Sequence, residues 1–358
     1  MKTRTRNGMR WRGVLLVPAL FALVLAACNG DDPVVEDPND AADDAADENG
    51  DDEQGAFDDA DSVELTIGHA GSTDQLIHQW AEDWADAVDA ATDGTVTIDL
   101  VPDAQLGGEL DIVQQVSLGA VEGVITGATG NDDIDALFAP YLFRDGQHML
   151  DVLDSDIVEP WIDGWRDSAN VQVVGFLERS PRQISANRPI ESADDLGGFT
   201  IRVPEIDAMV DGFNAAGASP TPMAWPEVYT SLQTGAIDGQ ENPIEIIGGE
   251  QLDEVQDYLI LSEHVYTPWT IALNGDTYDS LSEAQRDALQ ETFQQLRPEH
   301  SAALAEEVDE MRATLEERGM EVIEPDIDSF RDAMQPAALD NVAEVWGEET
   351  AERVAEGS

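Results

Sequence analysis

The chain carries 76 acidic residues against 17 lysines and arginines, a formal net charge of −59 over 358 residues. Any compact fold it adopts must hold dozens of carboxylates close together, and in dilute buffer they repel one another. Salt relieves this, because the Debye length falls to about 3 Å at 1 M. The balance therefore points to a halophilic host. It also excludes nucleic acid as a partner, whose phosphates would be repelled at every approach. Docking of the protein surface on anionic headgroups is disfavoured for the same reason. Hydrophobic residues make up 42 %, enough for an ordinary core. The single cysteine, Cys28, excludes a disulfide framework and any Cys-rich metal site. The histidines His69, His78, His148, His264 and His300 lack ligand spacing, so neither metal nor cofactor is expected.

The basic residues are unevenly placed. Lys2, Arg4, Arg6, Arg10 and Arg12 precede an apolar run from Gly13 to Ala27 that is short for a membrane span and contains Pro18. Residues 1–27 read as a signal peptide. The run ends in Leu25-Ala26-Ala27-Cys28, which resembles a lipobox, so Cys28 is the expected lipidation site and the expected location is extracytoplasmic, anchored to the membrane by lipid. Residues 28–61 hold 15 acidic residues and no basic one, and they cannot bury enough apolar area to fold. They read as a disordered tether extended by its own charge.

From residue 62 onward the pattern changes. Val63–Ile67 alternates as a strand, apolar residues at helical spacing run from Asp74 to Ala91, and Val96–Val101 is a second strand. A helix over Glu109–Leu118 and an apolar run at Gly123–Thr126 follow. Strands are again predicted at Val171–Leu177, Phe199–Val203 and Trp269–Asn274, with helices at Ile206–Ala215 and Pro226–Thr234. Ser282–Arg318 is almost continuously helical, long enough to cross between domains. This rhythm is that of a parallel α/β sheet. The chain's length suits two lobes with a cleft between them, where small ligands bind.

Three stretches carry a resemblance: SPRQISANRPI at Ser180–Ile190, TIRVP at Thr200–Pro204, and ASPTPMAWPEVYTSLQTGAIDGQENP at Ala218–Pro243. Gln105-Leu106-Gly107, Ala139–Asp145 and Glu254–Leu259 support it. From Val63 to about Met334 the chain resembles the extracytoplasmic solute-binding proteins of TRAP transporters, the family that includes dicarboxylate- and sialic-acid-binding members. The resemblance implies a periplasmic-binding-protein-like clamshell with hinge strands and a long lobe-spanning helix. It divides into lobe I, residues 62–179 and 268–307, and lobe II, residues 180–267 and 308–358. It implies a receptor that closes on a small organic acid and delivers it to the membrane permease. By the same resemblance Arg202 is the carboxylate-binding arginine, Arg182 a second arginine near the ligand, Asn242 the amide completing the carboxylate site, and Trp225 an aromatic wall. The chain departs from the sialic-acid-binding members at Ala70, where they carry asparagine, and at Gly127, where they carry an acidic residue.

Arginine suits the task, since its planar guanidinium meets a carboxylate with two parallel N–H donors. An arginine on an apolar strand, such as Arg202, needs an acidic partner, either a ligand or a structural carboxylate. Pro243 holds Asn242 extended. His69 and Gln105, in loops after the first two strands, are further ligand candidates, and Trp165, Trp269 and Tyr229 are candidate pocket aromatics. Arg188 is expected to pair with Asp194 or Asp195. A C4-dicarboxylate, a 2-oxoacid, an aromatic acid, a sugar acid or a zwitterionic compatible solute would each fit such a site. A ligand-sensing lipoprotein for a membrane kinase is an alternative. A secreted hydrolase is another, although no G-x-S-x-G, H-E-x-x-H or P-loop pattern occurs. The charge balance makes a prediction of its own. The thermal midpoint of the purified protein should rise steeply as salt goes from 0.1 to 2 M, and an unchanged midpoint would remove the halophilic reading.

Overall fold

The computed structural model describes residues 60–356, together with residue 57. The signal segment 1–27, Cys28 and nearly all of the 28–61 stretch lie outside the described residues. The described chain is mixed α/β and builds two sheets. The first has the order β2-β1-β3-β10-β4, formed by β1 (Val63–His69), β2 (Val96–Val101), β3 (Gly123–Thr126), β4 (Val171–Glu178) and β10 (Pro268–Asn274). The second has the order β11-β9-β5-β8-β6-β7, from β5 (Arg182–Ala186), β6 (Thr200–Val203), β7 (Ser219–Pro222), β8 (Gly239–Pro243), β9 (Tyr258–Val265) and β11 (Glu321–Ile323).

The sheets are mixed rather than parallel as the rhythm predicts: in the first, β1 runs parallel to β2 and β3, while β10, entering from the other sheet, returns antiparallel to β3 and β4. In the second, β5 is antiparallel to β8 and β9, and β6 is parallel to β7 and β8. The strands read from alternation are all present. The strands at Arg182–Ala186 and Gly239–Pro243 were visible only as motifs, and Tyr258–Val265 only in part. These strands are largely buried, and β8 carries three polar residues in a row, Gln240, Glu241 and Asn242, so no period-two pattern marks it.

The chain passes between the sheets at two short links, Arg179–Pro181 from β4 to β5 and Tyr266–Thr267 from β9 to β10. A third link is the helix Glu283–Arg318. Ser282 caps it, accepting from the Gln285 amide at 3.2 Å, and Gly319 ends it in the left-handed region at φ 108°. Its first half packs on β4 and on the helix Leu76–Ala91, where Trp80 and Trp84 meet the edge of Phe293 at 5.5 and 6.4 Å between centroids. Farther along it packs on the helix Ile244–Gly249, where Met311 covers Gly248.

Beyond β11 lie two helices the periodicity did not foresee, Ile327–Trp346 and Glu348–Glu356. The first packs on the helix Asp207–Ala215. It ends with Trp346 stacked on Trp161, 4.4 Å between centroids, and donating to the Asp133 carbonyl at 2.9 Å. The C-terminal segment therefore touches residues that accompany both sheets.

Gly175 in β4 sits opposite Ile271, where the β4–β10 register shifts, and the Phe293 ring fills the place a side chain would take. Gly175→Ala is expected to overpack this contact and lower stability by about 1–3 kcal/mol. Urea unfolding in molar salt measures it, and a variant as stable as wild type would show that the helix shifts freely.

Candidate functional site

A cavity lies between the sheets. Its lining includes Arg179, Arg182, Arg202, Trp225, Asn242 and Trp269. Backbone order explains this convergence. Arg182 begins β5 immediately after the first link, and Asn242 lies opposite Gln183 on the neighbouring strand β8. Arg202 is in β6, paired beside Gln240 of β8. Trp225 opens a short 3-10 turn, Trp225–Glu227, with Pro226 at its second position. Trp269 comes from β10 in the other sheet.

Arg202 is buried and its guanidinium donates to the Met223 carbonyl from Nε at 2.9 Å and Nη2 at 2.6 Å. Its guanidinium carbon lies 5.5 Å from the Trp225 ring centroid. Among the described residues it makes no ion pair, so the structural carboxylate considered from sequence is not its partner. Burial lowers its pKa to about 10, against the pull of Glu241, and it stays charged at neutral pH.

Arg182 is held differently. Its Nε and Nη2 donate to both carboxylate oxygens of Glu241, the Nη2–Oε1 bond being 2.8 Å, and Nη2 also reaches the Glu241 carbonyl at 2.8 Å. His264 Nε2 lies 3.1 Å from Glu241 Oε2. Burial alone would push the Glu241 carboxyl up, but Arg182 and the His264 hydrogen bond outweigh it and hold it at about 2. Glu241 thus neutralises Arg182 and leaves its Nη1 without a partner among the described residues. Asn242 spends one amide N–H on Gln240 Oε1 at 2.7 Å, and Gln240 donates to Ser185 at 2.9 Å.

Two expected ligand residues lie elsewhere. His69 is buried against His78, 3.0 Å between ring nitrogens, and is not among the cavity-lining residues. Burial and His78 lower its pKa to about 4, so it is neutral. Gln105 is exposed in the loop after β2 and lines no part of the cavity. Among the aromatics Trp269 lines the cavity, whereas Trp165 is core and Tyr229 is half-buried outside the cavity, its hydroxyl donating to Glu254 at 2.8 Å. Arg188 donates to the Asp195 carbonyl at 2.6 Å rather than to a carboxylate.

Three polar lining residues escaped the sequence reading: Arg179, Glu109 and Gln75. Glu109, in the first turn of the helix Glu109–Ser117, accepts from the Gly127 amide at 2.7 Å. Gln75 donates to Glu250 at 2.8 Å. Arg179 stands immediately before the quoted SPRQ motif, and the rarity of cations here was signal enough to single it out.

A model of the bacterial extracellular solute-binding proteins, family 7 (DctP), matches residues 67–344. The chain belongs to that family. It is 35 % identical over 288 residues to a solute-binding protein of Roseobacter denitrificans, covering 80 % of this chain and 89 % of that one. It is 29 % identical over 277 residues to the sialic acid-binding periplasmic protein SiaP of Vibrio cholerae, covering 76 % and 86 %. The fold is similar to the crystal structure of a TRAP periplasmic solute-binding protein from Roseobacter denitrificans with bound L-galactonate, at TM-score 0.75 and 33 % identity, over 83 % of this chain and 99 % of that one. This family 7 protein is therefore a two-lobed extracytoplasmic receptor of the TRAP type, and among its described residues no helix is long and apolar enough to cross a membrane.

The Glu241 carboxyl sits below its ordinary 4.5 in the folded state, so its contribution to stability is complete above that value and is lost as pH falls toward 2. Glu241→Gln leaves Arg182 buried and unpaired, which costs about 3–5 kcal/mol at neutral pH. The gap between variant and wild type should narrow between pH 5 and pH 2, as read by urea unfolding in molar salt. A gap that is constant with pH would mean the pair is not ionised as described.

Proposed function

We propose that this receptor captures a small organic acid by closing lobe I, residues 62–179 and 268–307, on lobe II, residues 180–267 and 308–358. In this reading the acid's carboxylate meets the unpartnered Nη1 sides of Arg202 and Arg182 and the remaining amide N–H of Asn242. Trp225 forms a wall against the ligand. The observation that carries this reading is the convergence of three buried arginines on one cavity in a chain so poor in cations. The bound acids of relatives point the same way, L-galactonate in the Roseobacter protein above all.

The protein performs no chemistry in this reading. It would be held to the membrane through a lipid on Cys28 and the acidic tether, and it would hand its ligand to a TRAP permease. The surface charge suits a saline exterior, where screening lets an anion approach. His69 and Gln105 take no part in binding.

A thermal-shift screen of the purified protein in molar salt, against monocarboxylic, dicarboxylic and sugar acids, tests this. A ligand at 100 times its Kd should add about 2.7 kcal/mol of stability, a readily visible rise in Tm. Arg202→Ala should abolish the rise while leaving the unliganded Tm within a few degrees. An acid that stabilises wild type and Arg202→Ala equally would put the carboxylate elsewhere.

A further inference from the structure

Arg179 lies in the three-residue link between β4 and β5, 4 % exposed. Its guanidinium carbon stands 3.9 Å from the centroid of the Trp269 ring. On the other side it closes onto Gly127, where a Cβ would meet Nη1 at 2.5 Å and Glu109 Oε1 at 3.3 Å. Among the described residues no hydrogen bond and no ion pair reaches this guanidinium, and its Nε is buried without a partner. Burial and the neighbouring Arg182 lower its pKa only to about 10, so the group is a cation.

A desolvated guanidinium with none of its donors used is strongly unfavourable unless oxygen atoms from outside the chain complete it. The other two arginines of the cavity are not in this position. Arg182 has Glu241, and Arg202 has the Met223 carbonyl. Arg179 packs on Trp269 of β10 and on Gly127 just after β3, both with the first sheet, whereas Arg202 stands on β6 of the second. Each has its own indole, Trp269 under Arg179 and Trp225 under Arg202. Glu109, the carboxylate beside Arg179, is already met by the Gly127 amide and by the N-terminal end of its own helix.

We propose that Arg179 is a second anion-binding point and that the ligand is a hydroxylated dicarboxylate, with one acid group on Arg202 and Arg182 and the other on Arg179 between Trp269 and Gly127. Glu109 accepts a hydroxyl of the chain between them. This rests on the carboxylate-receptor reading and narrows its substrate class.

Titration calorimetry in molar salt on matched acids, threonate with tartrate, xylonate with xylarate and galactonate with galactarate, tests it. The members of each pair differ by one terminal carboxylate. In at least one pair the diacid should bind at least about tenfold more tightly, the scale of a charge-assisted hydrogen-bond set. Arg179→Met should collapse that ratio toward one. Gly127→Ala keeps the charge but pushes the guanidinium aside, so it should also shrink the ratio, and it decides the matter where Arg179→Met fails to fold. Arg202→Ala should weaken both members of the pair. Monoacids bound as tightly as diacids in every pair, or a preference surviving in both folded variants, would overturn the dicarboxylate inference while the receptor reading stands. No binding by any of the acids would overturn both.

Discussion

The ion pair of Arg182 with Glu241 is the interaction on which the site depends. Both side chains are almost completely buried, and His264 from β9 shares the carboxylate. The pair therefore ties three adjacent strands, β5, β8 and β9, at the place where the chain crosses between sheets. Taking two charges out of water is costly, and the attraction repays it only when geometry and extra hydrogen bonds are good. Here both oxygens of Glu241 are used, and the Glu241 carbonyl is used as well. What the chain gains is placement. Arg182 is fixed at the mouth of the link, Arg179 three residues before it points to the other side of the cavity, and Asn242 follows Glu241 directly on β8.

The distribution of cations follows from the charge of the whole. Beyond Cys28 every basic residue is an arginine, 12 in all. Six of them pair with a carboxylate toward the surface, as Arg166 does with Asp279, Arg297 with Asp154 and Arg353 with Asp156. Such exposed pairs contribute little in concentrated salt. Three arginines are withdrawn into the cavity, where low dielectric keeps their field strong. Salt that screens the acidic exterior does not reach them to the same degree. The molecule thus presents a repulsive surface, softened by its solvent, around an attractive interior.

The strands and helices legible in the sequence are those with one wet face. The helix Leu76–Ala91 shows its core stripe at Ile77, Trp80, Ala81, Trp84 and Val88, and β1 alternates before its buried end. β8 was not legible as a strand, because Gln240, Glu241 and Asn242 are buried polar residues satisfied by one another and by β5. Pairing of that kind is a property of the neighbouring strand, not of local pattern. Within the site, Arg182, Arg202, Trp225 and Asn242 were found through their motifs, and the structure brings them to one cavity. His69 and Gln105 are loop residues, and loop position does not fix where a side chain points. Arg179 falls just outside a motif, and Glu109 does not stand out among 76 acidic residues.

The cavity draws on both sheets, and this sets how binding relates to closure. Trp269 stands on β10 of the first sheet, and Glu109 and Ala128 belong to segments flanking β3. Arg202 and Asn242 stand on β6 and β8 of the second. A ligand touching only one side would bind open and closed forms alike, and equal affinity shifts no equilibrium. Moving a clamshell from 1:99 to 99:1 takes about 5.5 kcal/mol of differential binding. With the links only three and two residues long, the hinge offers little freedom beyond the closing motion itself. The differential must then come from groups facing each other across the cleft. Arg202 beside Trp225 belongs to the second sheet and Arg179 packs on Trp269 of the first, so a ligand that engages both gains contacts that closure completes.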